Sequence, residues 1–188
     1  LVGSEMCIRD SYYFAGKDVW KTLFDLEAMR PGMVLLSAQA PDGDPAWCDV
    51  VTLMTPVATR PWKAWEGSAP GRRPEAYTAL KAAMTQATVD FACARLPELR
   101  DAIAHTYAAT PLTYRHYTGA PHGAAYGLLK DWRSIMASHI PARTKFDNLL
   151  LTGQNLTVHG AIGVTLSAAA TCSEIVGTEY LAKKIANA

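Results

Sequence analysis

The spacing of apolar side chains predicts a long helix in the middle of the chain. Between residues 74 and 95, apolar positions fall three and four residues apart, which places them on one helix face. These positions are Tyr77, Leu80, Met84 and Phe91. Pro74 suits the first turn because its missing N–H group needs no partner there, and Leu96-Pro97 ends the helix and opens a shorter one.

Short apolar runs bounded by turn-forming residues predict strands. Met33–Ala38 and Val50–Thr55 flank a loop rich in Pro and Gly at 41–45, so we expect a long hairpin buried on both faces. Asn148–Thr152 predicts a third, short buried strand. A short helix over residues 18–29 precedes the hairpin.

The C-terminal half of the chain changes in character. Residues 106–127 interleave four tyrosines with Pro and Gly, which predicts loops and short strands. Residues 160–176 are apolar almost all round, which predicts a helix inside a core, and Thr178 begins a last short helix. Strands and helices mixed in this order predict an α+β or α/β fold.

Composition narrows the class of protein further. The 188 residues are 49% hydrophobic and 19% charged, which excludes a disordered chain. Eighteen basic and 17 acidic residues give a net charge of +1, so we expect no nucleic-acid partner. The four cysteines and five histidines have neither disulfide-framework nor metal-ligand spacing, so we expect no metal site. No apolar run approaches the ~18 residues that a membrane span needs.

The first eleven residues read as a translated sequencing adaptor. The transposon end ATG-TGT-ATA-AGA-GAC-AG encodes Met-Cys-Ile-Arg-Asp-Ser, which is the run Met6–Ser11. Such segments are excluded from fold reasoning. We therefore expect residues 1–11 to be non-native and the native sequence to continue upstream of Tyr12, which makes the chain a fragment.

One segment carries candidate chemistry. The sequence has no G-x-S-x-G, G-x-x-x-x-G-K-[ST] or G-x-G-x-x-G motif, but residues 149–164 read as strand, glycine-bearing loop and apolar helix. Gly153, Gly160 and Gly163 remove side chains where another group approaches the backbone. The N-terminus of such a helix presents unpaired N–H groups and partial positive charge, which suits an anion or an electron-rich ring edge.

This segment and several others resemble one family of flavoproteins. Residues 152–155 and 160–164 resemble the C-terminal FAD motif of the phytoene desaturase-like FAD-dependent oxidoreductases, and most of all the retinol saturase group among them. Further similar pieces, in the same order, are Tyr12-Tyr13 with Asp18-Val19-Trp20, Arg73–Lys81, Thr110–Arg115 with Tyr117, Arg143–Lys145 and Thr171–Glu174. The resemblance spans about residues 12–185.

The resemblance implies the C-terminal part of a two-domain, Rossmann-like FAD-binding protein. Residues 12–147 would belong to a mixed-sheet substrate domain with helices. Residues 148–188 would be the strand and helix that return to complete the FAD-binding domain. The G-x-G-x-x-G motif would lie in the missing N-terminal half of the same chain, and the fragment alone would be inactive.

The resemblance also implies cofactor contacts. Gly153 and Gln154 would lie near the ribityl chain or pyrophosphate of FAD, and Gly160 would begin the helix that faces the flavin. Asn155 stands where relatives often have Asp, and its amide can still bind a hydroxyl. The backbone near three residues would face the N1/O2 edge of the flavin: Ile162, Gly163 and Val164.

The implied reaction is hydride transfer at flavin N5 to or from a C=C bond of a polyene, such as a retinoid or carotenoid. Tyr114, Tyr117 and Tyr126 would contact this substrate. No catalytic residue is assigned; Tyr117, Tyr126 and His159 are candidate proton donors only, and the direction stays open. We expect a cytoplasmic or peripheral membrane location. The alternatives are a self-contained module that binds a hydrophobic ligand, or an inactive relative without a redox cofactor.

Overall fold

A three-stranded antiparallel sheet forms near the N-terminus in the computed structural model. The structure describes residues 10–24, 30–39 and 48–187. The strands, in chain and sheet order, are β1 (Asp10–Phe14), β2 (Met33–Gln39) and β3 (Val50–Met54). Tyr12 lies opposite Leu35, and Leu36 lies opposite Leu53. The predicted hairpin is therefore confirmed, while its loop at 41–45 lies outside the described residues.

The chain forms two compact units, residues 1–123 (the N-terminal unit) and residues 124–188 (the C-terminal unit). The helices of the N-terminal unit are α1 (Val19–Phe24), the 3-10 helix Arg60–Trp65, α2 (Glu75–Cys93), α3 (Leu99–Ala102), α4 (Pro111–Thr118) and the 3-10 helix Pro121–Gly123. Those of the C-terminal unit are the 3-10 helix Trp132–Ser134, α5 (Ile135–Ser138), α6 (Gly160–Val176) and α7 (Thr178–Ala186). Helices with one small antiparallel sheet agree with the predicted α+β class. The predicted domain boundary at residues 147 and 148 stays a prediction, as does the non-native origin of residues 1–11.

The sheet is covered on one face, so its burial alternates along the strands. Helix α2 contacts both β2 and β3. Val34 and Leu36 are buried, whereas Val50 and Met54 are exposed. The expected burial of the hairpin on both faces is therefore wrong for β3, because side chains of a strand point alternately to opposite faces.

An aromatic cluster forms the core beside α2. Trp62, Tyr77 and Leu112 are buried together, and Trp65, Leu80 and Met84 pack against them. The ring of Tyr77 meets those of Trp62 and Trp65 edge to face, with centroids 5.6 and 5.7 Å apart. The predicted stripe of α2 is therefore confirmed as a core face, with Pro74 at its N-cap.

Helix α4 corrects the prediction of loops and short strands over residues 106–127. Thr110 caps the helix and exchanges reciprocal hydrogen bonds with Thr113, and Pro111 occupies the first turn. Gly119 ends the helix in the left-handed region, at φ 67°. The start and stop signals of a helix were thus present in the sequence, and the many Tyr, Pro and Gly residues outweighed them in the prediction.

The predicted strand over residues 148–152 does not form in the described part of the chain. Leu150 makes only an isolated bridge to Arg143, and the Leu151 N–H donates to the Ala142 carbonyl at 2.8 Å. Leu149 and Leu151 are exposed. A strand requires a ladder of backbone partners along its length. Apart from a turn bond from the Leu149 N–H to the Phe146 carbonyl, the described residues give this segment only these two backbone links.

Helix α6 has the predicted bounds but not the predicted burial. Among its side chains, Ile162 is 79% exposed, and Leu166 and Ile175 are also exposed. Its buried positions are Gly163 and Ser167. Apolar character thus predicted the helix correctly, but its placement inside a core is wrong in this structure.

The turn after α4 yields a test of close packing. A Cβ at Gly123 would lie 1.9 Å from the Pro111 carbonyl oxygen, whereas one at Gly119 would meet nothing within 4 Å. Both glycines have positive φ, so Gly119→Ala and Gly123→Ala share the backbone cost, about 1 kcal/mol. We expect Gly123→Ala to lose about 1–3 kcal/mol more, because the clash is with backbone. Urea unfolding at unchanged m-value measures both; equal losses would contradict the packing.

Candidate functional site

The glycine-bearing segment lies in the C-terminal unit, where a turn over residues 153–159 leads into α6. Gly153 and Gly160 have φ values of 109° and 79°, which favour glycine. A Cβ built at either residue would meet no atom within 4 Å. His159 is the N-cap of α6 but makes no side-chain capping bond, so the first-turn N–H groups have no side-chain cap. This end of α6 therefore combines open space with partial positive charge.

The Lys130 side chain fixes the backbone of the turn over residues 153–159. Its ammonium group donates to the carbonyl oxygens of Ser138, Asn155 and Leu156, the last two at 2.7 and 3.0 Å. The Ile140 N–H also donates to the Leu156 carbonyl at 3.2 Å. Leu156 itself is buried. One half-buried cation thus fixes the backbone of the turn through three neutral oxygens.

Of the two polar atoms of the Asn155 side-chain amide, only the oxygen is hydrogen-bonded among the described residues. Its Oδ1 accepts a hydrogen bond from the Leu128 N–H at 2.9 Å, and a Cβ at Gly127 would lie 2.1 Å from that oxygen. No hydrogen bond among the described residues uses its Nδ2 group. Asn155 can therefore offer an amide donor to a ligand, which a carboxylate at this position could not.

Gly163 allows the turn to pack closely against α6, whereas Gly153 and Gly160 border open space. A Cβ at this position would lie 2.2 Å from the Val158 carbonyl oxygen. The protein's own backbone therefore approaches Gly163 closely, and the flavin contact predicted here stays a prediction. Ile162 and Val164, on either side, are exposed, while Gln154 is half-buried.

Two buried polar atoms near this helix lack partners among the described residues, His159 Nε2 and Ser167 Oγ. The imidazole of His159 stacks on the ring of Tyr126, with centroids 6.3 Å apart. Tyr126 is more than half exposed. His159 and Tyr126, two of the candidate proton donors, are therefore neighbours, which nothing in the sequence indicated.

The other predicted substrate residues lie in the N-terminal unit. Tyr114 and Tyr117 occupy successive turns of α4. Tyr114 is half-buried, whereas Tyr117 is exposed and lines a depression of about 350 Å³. Tyr126 belongs to the C-terminal unit.

Asp131 and Arg133, which follow Lys130 in the chain, form an ion pair with each other. The Arg133 side chain donates to Asp131, as does the Arg133 backbone N–H, and these bonds lower the pKa of the Asp131 carboxyl. Within the described ranges, no group of His, Cys, Asp and Glu is arranged to hold a metal ion. Among the same residues, no helix combines the length and the apolar character needed to cross a membrane.

Two residues that hold the turn were missed in the sequence. Lys130 is a single basic residue in a loop, and Gly127 is one of several glycines there, so no local pattern marks either. Their roles follow from contacts with residues more than 20 positions away, at Asn155 and Leu156.

The contact at Gly163 predicts the sign of a mutational effect. In a helix interior, Gly→Ala ordinarily stabilises a protein by about 0.5–1 kcal/mol. We expect Gly163→Ala instead to destabilise the chain by about 1–3 kcal/mol, because the new methyl group meets the Val158 carbonyl. Thr165→Ala, at an exposed site of the same helix, is the control and should be nearly neutral. A stabilised Gly163→Ala variant in urea unfolding would disprove the contact.

Removal of the Lys130 ammonium group tests what holds the turn. Lys130→Met keeps the aliphatic stem and loses three hydrogen bonds to carbonyl oxygens, so we expect a loss of about 1–3 kcal/mol. Amide hydrogen exchange should quicken locally at Ile140 and Leu156. The control is Lys145→Met, since Lys145 is exposed and lies over the Phe146 ring. Unchanged amide hydrogen exchange at Ile140 and Leu156 in Lys130→Met would show that other contacts hold the turn.

Several known proteins are similar to this chain over most of its length. The human protein named all-trans-retinol 13,14-reductase is 29% identical over 143 residues, which cover 71% of this chain and 23% of that protein. Its counterpart from Macaca fascicularis is 30% identical over the same shares. A Danio rerio protein named inactive all-trans-retinol 13,14-reductase is 28% identical over 115 residues, or 60% of this chain and 19% of that protein.

No family profile and no solved structure matches the chain. The matched segment spans less than a quarter of the curated relatives, at 23% of the human protein. The similarity nevertheless covers most of this chain, in agreement with the ordered motifs of the sequence. The chain is a relative of the all-trans-retinol 13,14-reductases, the retinol saturase group that those motifs indicated.

Proposed function

We propose that the chain is part of an FAD-dependent oxidoreductase that acts on C=C bonds of a polyene, with retinoids as the substrate class. The observation that carries this proposal is the match, over 71% of the chain, to proteins named all-trans-retinol 13,14-reductase. Since these names state a reduction, saturation of the double bond is the direction we propose. Carotenoid substrates and desaturation belong to the wider family resemblance and are less favoured.

The glycine-bearing turn fits a flavin nucleotide. Gly153 and Gly160 leave open space beside an uncapped helix N-terminus, where backbone N–H groups can meet phosphate oxygens or an electron-rich ring edge. In this proposal Gly153 and Gln154 lie along the ribityl chain or pyrophosphate, and the Nδ2 group of Asn155 donates to a hydroxyl or phosphate oxygen. The backbone from Ile162 to Val164 faces the N1/O2 edge. When bound, FAD supplies hydride transfer at its N5 atom.

The surrounding architecture is also part of the proposal. Residues 148–188 would complete a Rossmann-like FAD-binding domain, and residues 12–147 would contribute to a substrate domain. Exposed apolar side chains further along α6, at Leu166 and Ile175, fit a helix that packs within a larger domain. Tyr114, Tyr117 and Tyr126 remain the proposed polyene contacts. A peripheral association with membrane lipid would give access to such a substrate.

A negative charge introduced at Ile162 tests cofactor binding without disturbing the fold. Ile162 is 79% exposed in the first turn of α6, where a carboxylate favours the helix through its dipole. The same carboxylate would repel the phosphates and the reduced flavin. In a full-length protein that contains this chain, we expect Ile162→Asp to fold and to bind FAD about tenfold more weakly, a difference of about 1.4 kcal/mol.

The measurement is the flavin released on denaturing the purified full-length protein, together with reduction of all-trans-retinol. Ile162→Asn is the matched control, because it is polar and similar in size to Asp but carries no charge. Equal flavin occupancy in the Asp and Asn variants would remove α6 from the cofactor site. A wild-type protein without flavin would overturn the proposed function itself.

An inactive relative is the second candidate, and one observation favours it. The chain also matches the Danio rerio protein that is named inactive, at 28% identity. Full-length protein that folds but neither retains FAD nor reduces all-trans-retinol would support this alternative. A protein that binds retinol without flavin would instead indicate a hydrophobic-ligand module.

A further inference from the structure

A polar depression in the N-terminal unit is lined by residues that are not among the proposed flavin contacts. Its volume is about 350 Å³, within the range of roughly 300–1,000 Å³ that is usual for small-molecule sites. It is lined from α2, from the segment before α2 and from α4. Its polar and aromatic lining comprises Arg73, Tyr77, Thr78, Lys81, Thr113 and Tyr117. No carboxylate lies among the described residues that line it.

Arg73 is held in this depression by neutral partners. Its guanidinium donates to the Tyr77 hydroxyl and, at 3.2 Å, to the Leu112 carbonyl oxygen, and lies 4.6 Å from the centre of the Tyr77 ring. Its Nε is buried and has no hydrogen-bond partner among the described residues. A guanidinium has five N–H donors, and these contacts use two of them. A half-buried cation in this state is stabilised by an anion that takes the remaining donors.

Lys81 adds a second cation on the same side of the helix. Lys81 lies one helical turn after Tyr77 in α2, and Arg73 precedes the N-cap of that helix, yet both cations line the same depression. Neither Arg73 nor Lys81 takes part in an ion pair between residues that the structure describes. The depression therefore combines two unpaired cations with the hydroxyl groups of Thr78 and Thr113.

We propose that this depression binds the phosphate group of a small organic ligand. Two cations match the double charge of a phosphate ester, and an Arg fork and threonine hydroxyls are suitable donors for its oxygens. Tyr117 lines the same depression with a ring that is 76% exposed, so it offers an apolar face to the organic part. All residues that line this depression belong to the N-terminal unit, and Tyr117 is the one that the proposed function also assigns, as a polyene contact.

Calorimetric titration of the full chain at low ionic strength tests the site, with phenyl phosphate, inorganic phosphate and benzoate as probes. We expect both phosphates to bind at millimolar concentration, phenyl phosphate more tightly and benzoate more weakly. Lys81→Gln should weaken both phosphates about tenfold or more. Arg72→Gln is the matched control, since Arg72 is exposed, lies next to the site and carries the same charge. It should leave binding unchanged.

A third variant tests the organic part of the ligand. Tyr117→Ala should remove the advantage of phenyl phosphate and leave inorganic phosphate unaffected, with thermal unfolding as the check on folding. Absence of binding by either phosphate would overturn the proposal, as would equal weakening by Lys81→Gln and Arg72→Gln. Benzoate binding as tightly as phenyl phosphate would overturn the choice of phosphate. None of these readouts involves flavin, so their failure leaves the proposed function untouched.

Discussion

The N-terminal unit depends on the side chain of Tyr77. Its ring packs edge to face against Trp62 and Trp65, while its hydroxyl group meets Thr110 Oγ1 at 2.8 Å. A buried phenol requires a polar partner, and Thr110 supplies it while also capping α4. Arg73 bonds the same hydroxyl from the other side. One side chain thus joins the 3-10 helix Arg60–Trp65, α2 and α4. The position of α4 therefore follows from the hydrogen bond that the buried Tyr77 hydroxyl requires as much as from apolar burial.

The C-terminal unit is organised by its backbone. Lys130 holds two carbonyl oxygens of the turn, and Gly163 lets the Val158 carbonyl approach α6. These contacts leave the N-terminal end of α6 open, with Gly153 and Gly160 beside it. A site built in this way would recognise a ligand mainly through N–H groups and the helix dipole, which suits phosphate and electron-rich rings.

Two of the segments on which the family resemblance rests, residues 143–145 and 171–174, contact each other in the structure. Arg143 and Glu174 belong to separate motifs, and here the Arg143 Nε donates to Glu174 Oε2 at 2.8 Å. The same guanidinium also donates to the Glu174 carbonyl oxygen at 3.0 Å. Because exposed ion pairs contribute about 0–1 kcal/mol, this contact orients the end of α6 more than it stabilises the unit.

The sequence by itself determined the elements whose period or length is unambiguous. The apolar stripe predicted α2, the mostly apolar segment 160–176 predicted α6 with its bounds, and short apolar runs predicted β2 and β3. The ordered motifs also indicated the retinol saturase group. These conclusions rest on local spacing, which the chain carries wherever it is placed.

Tertiary structure alone decided burial, partners and close approaches. The segment at 148–152 lacks a ladder and does not become a strand, while β1 pairs with β2 although no strand was predicted there. Helix α6 keeps its period yet exposes Ile162, because burial depends on the neighbours that a helix meets. The need for glycine at position 163 arises from a carbonyl 2.2 Å from its missing side chain, a distance that no spacing in the sequence encodes.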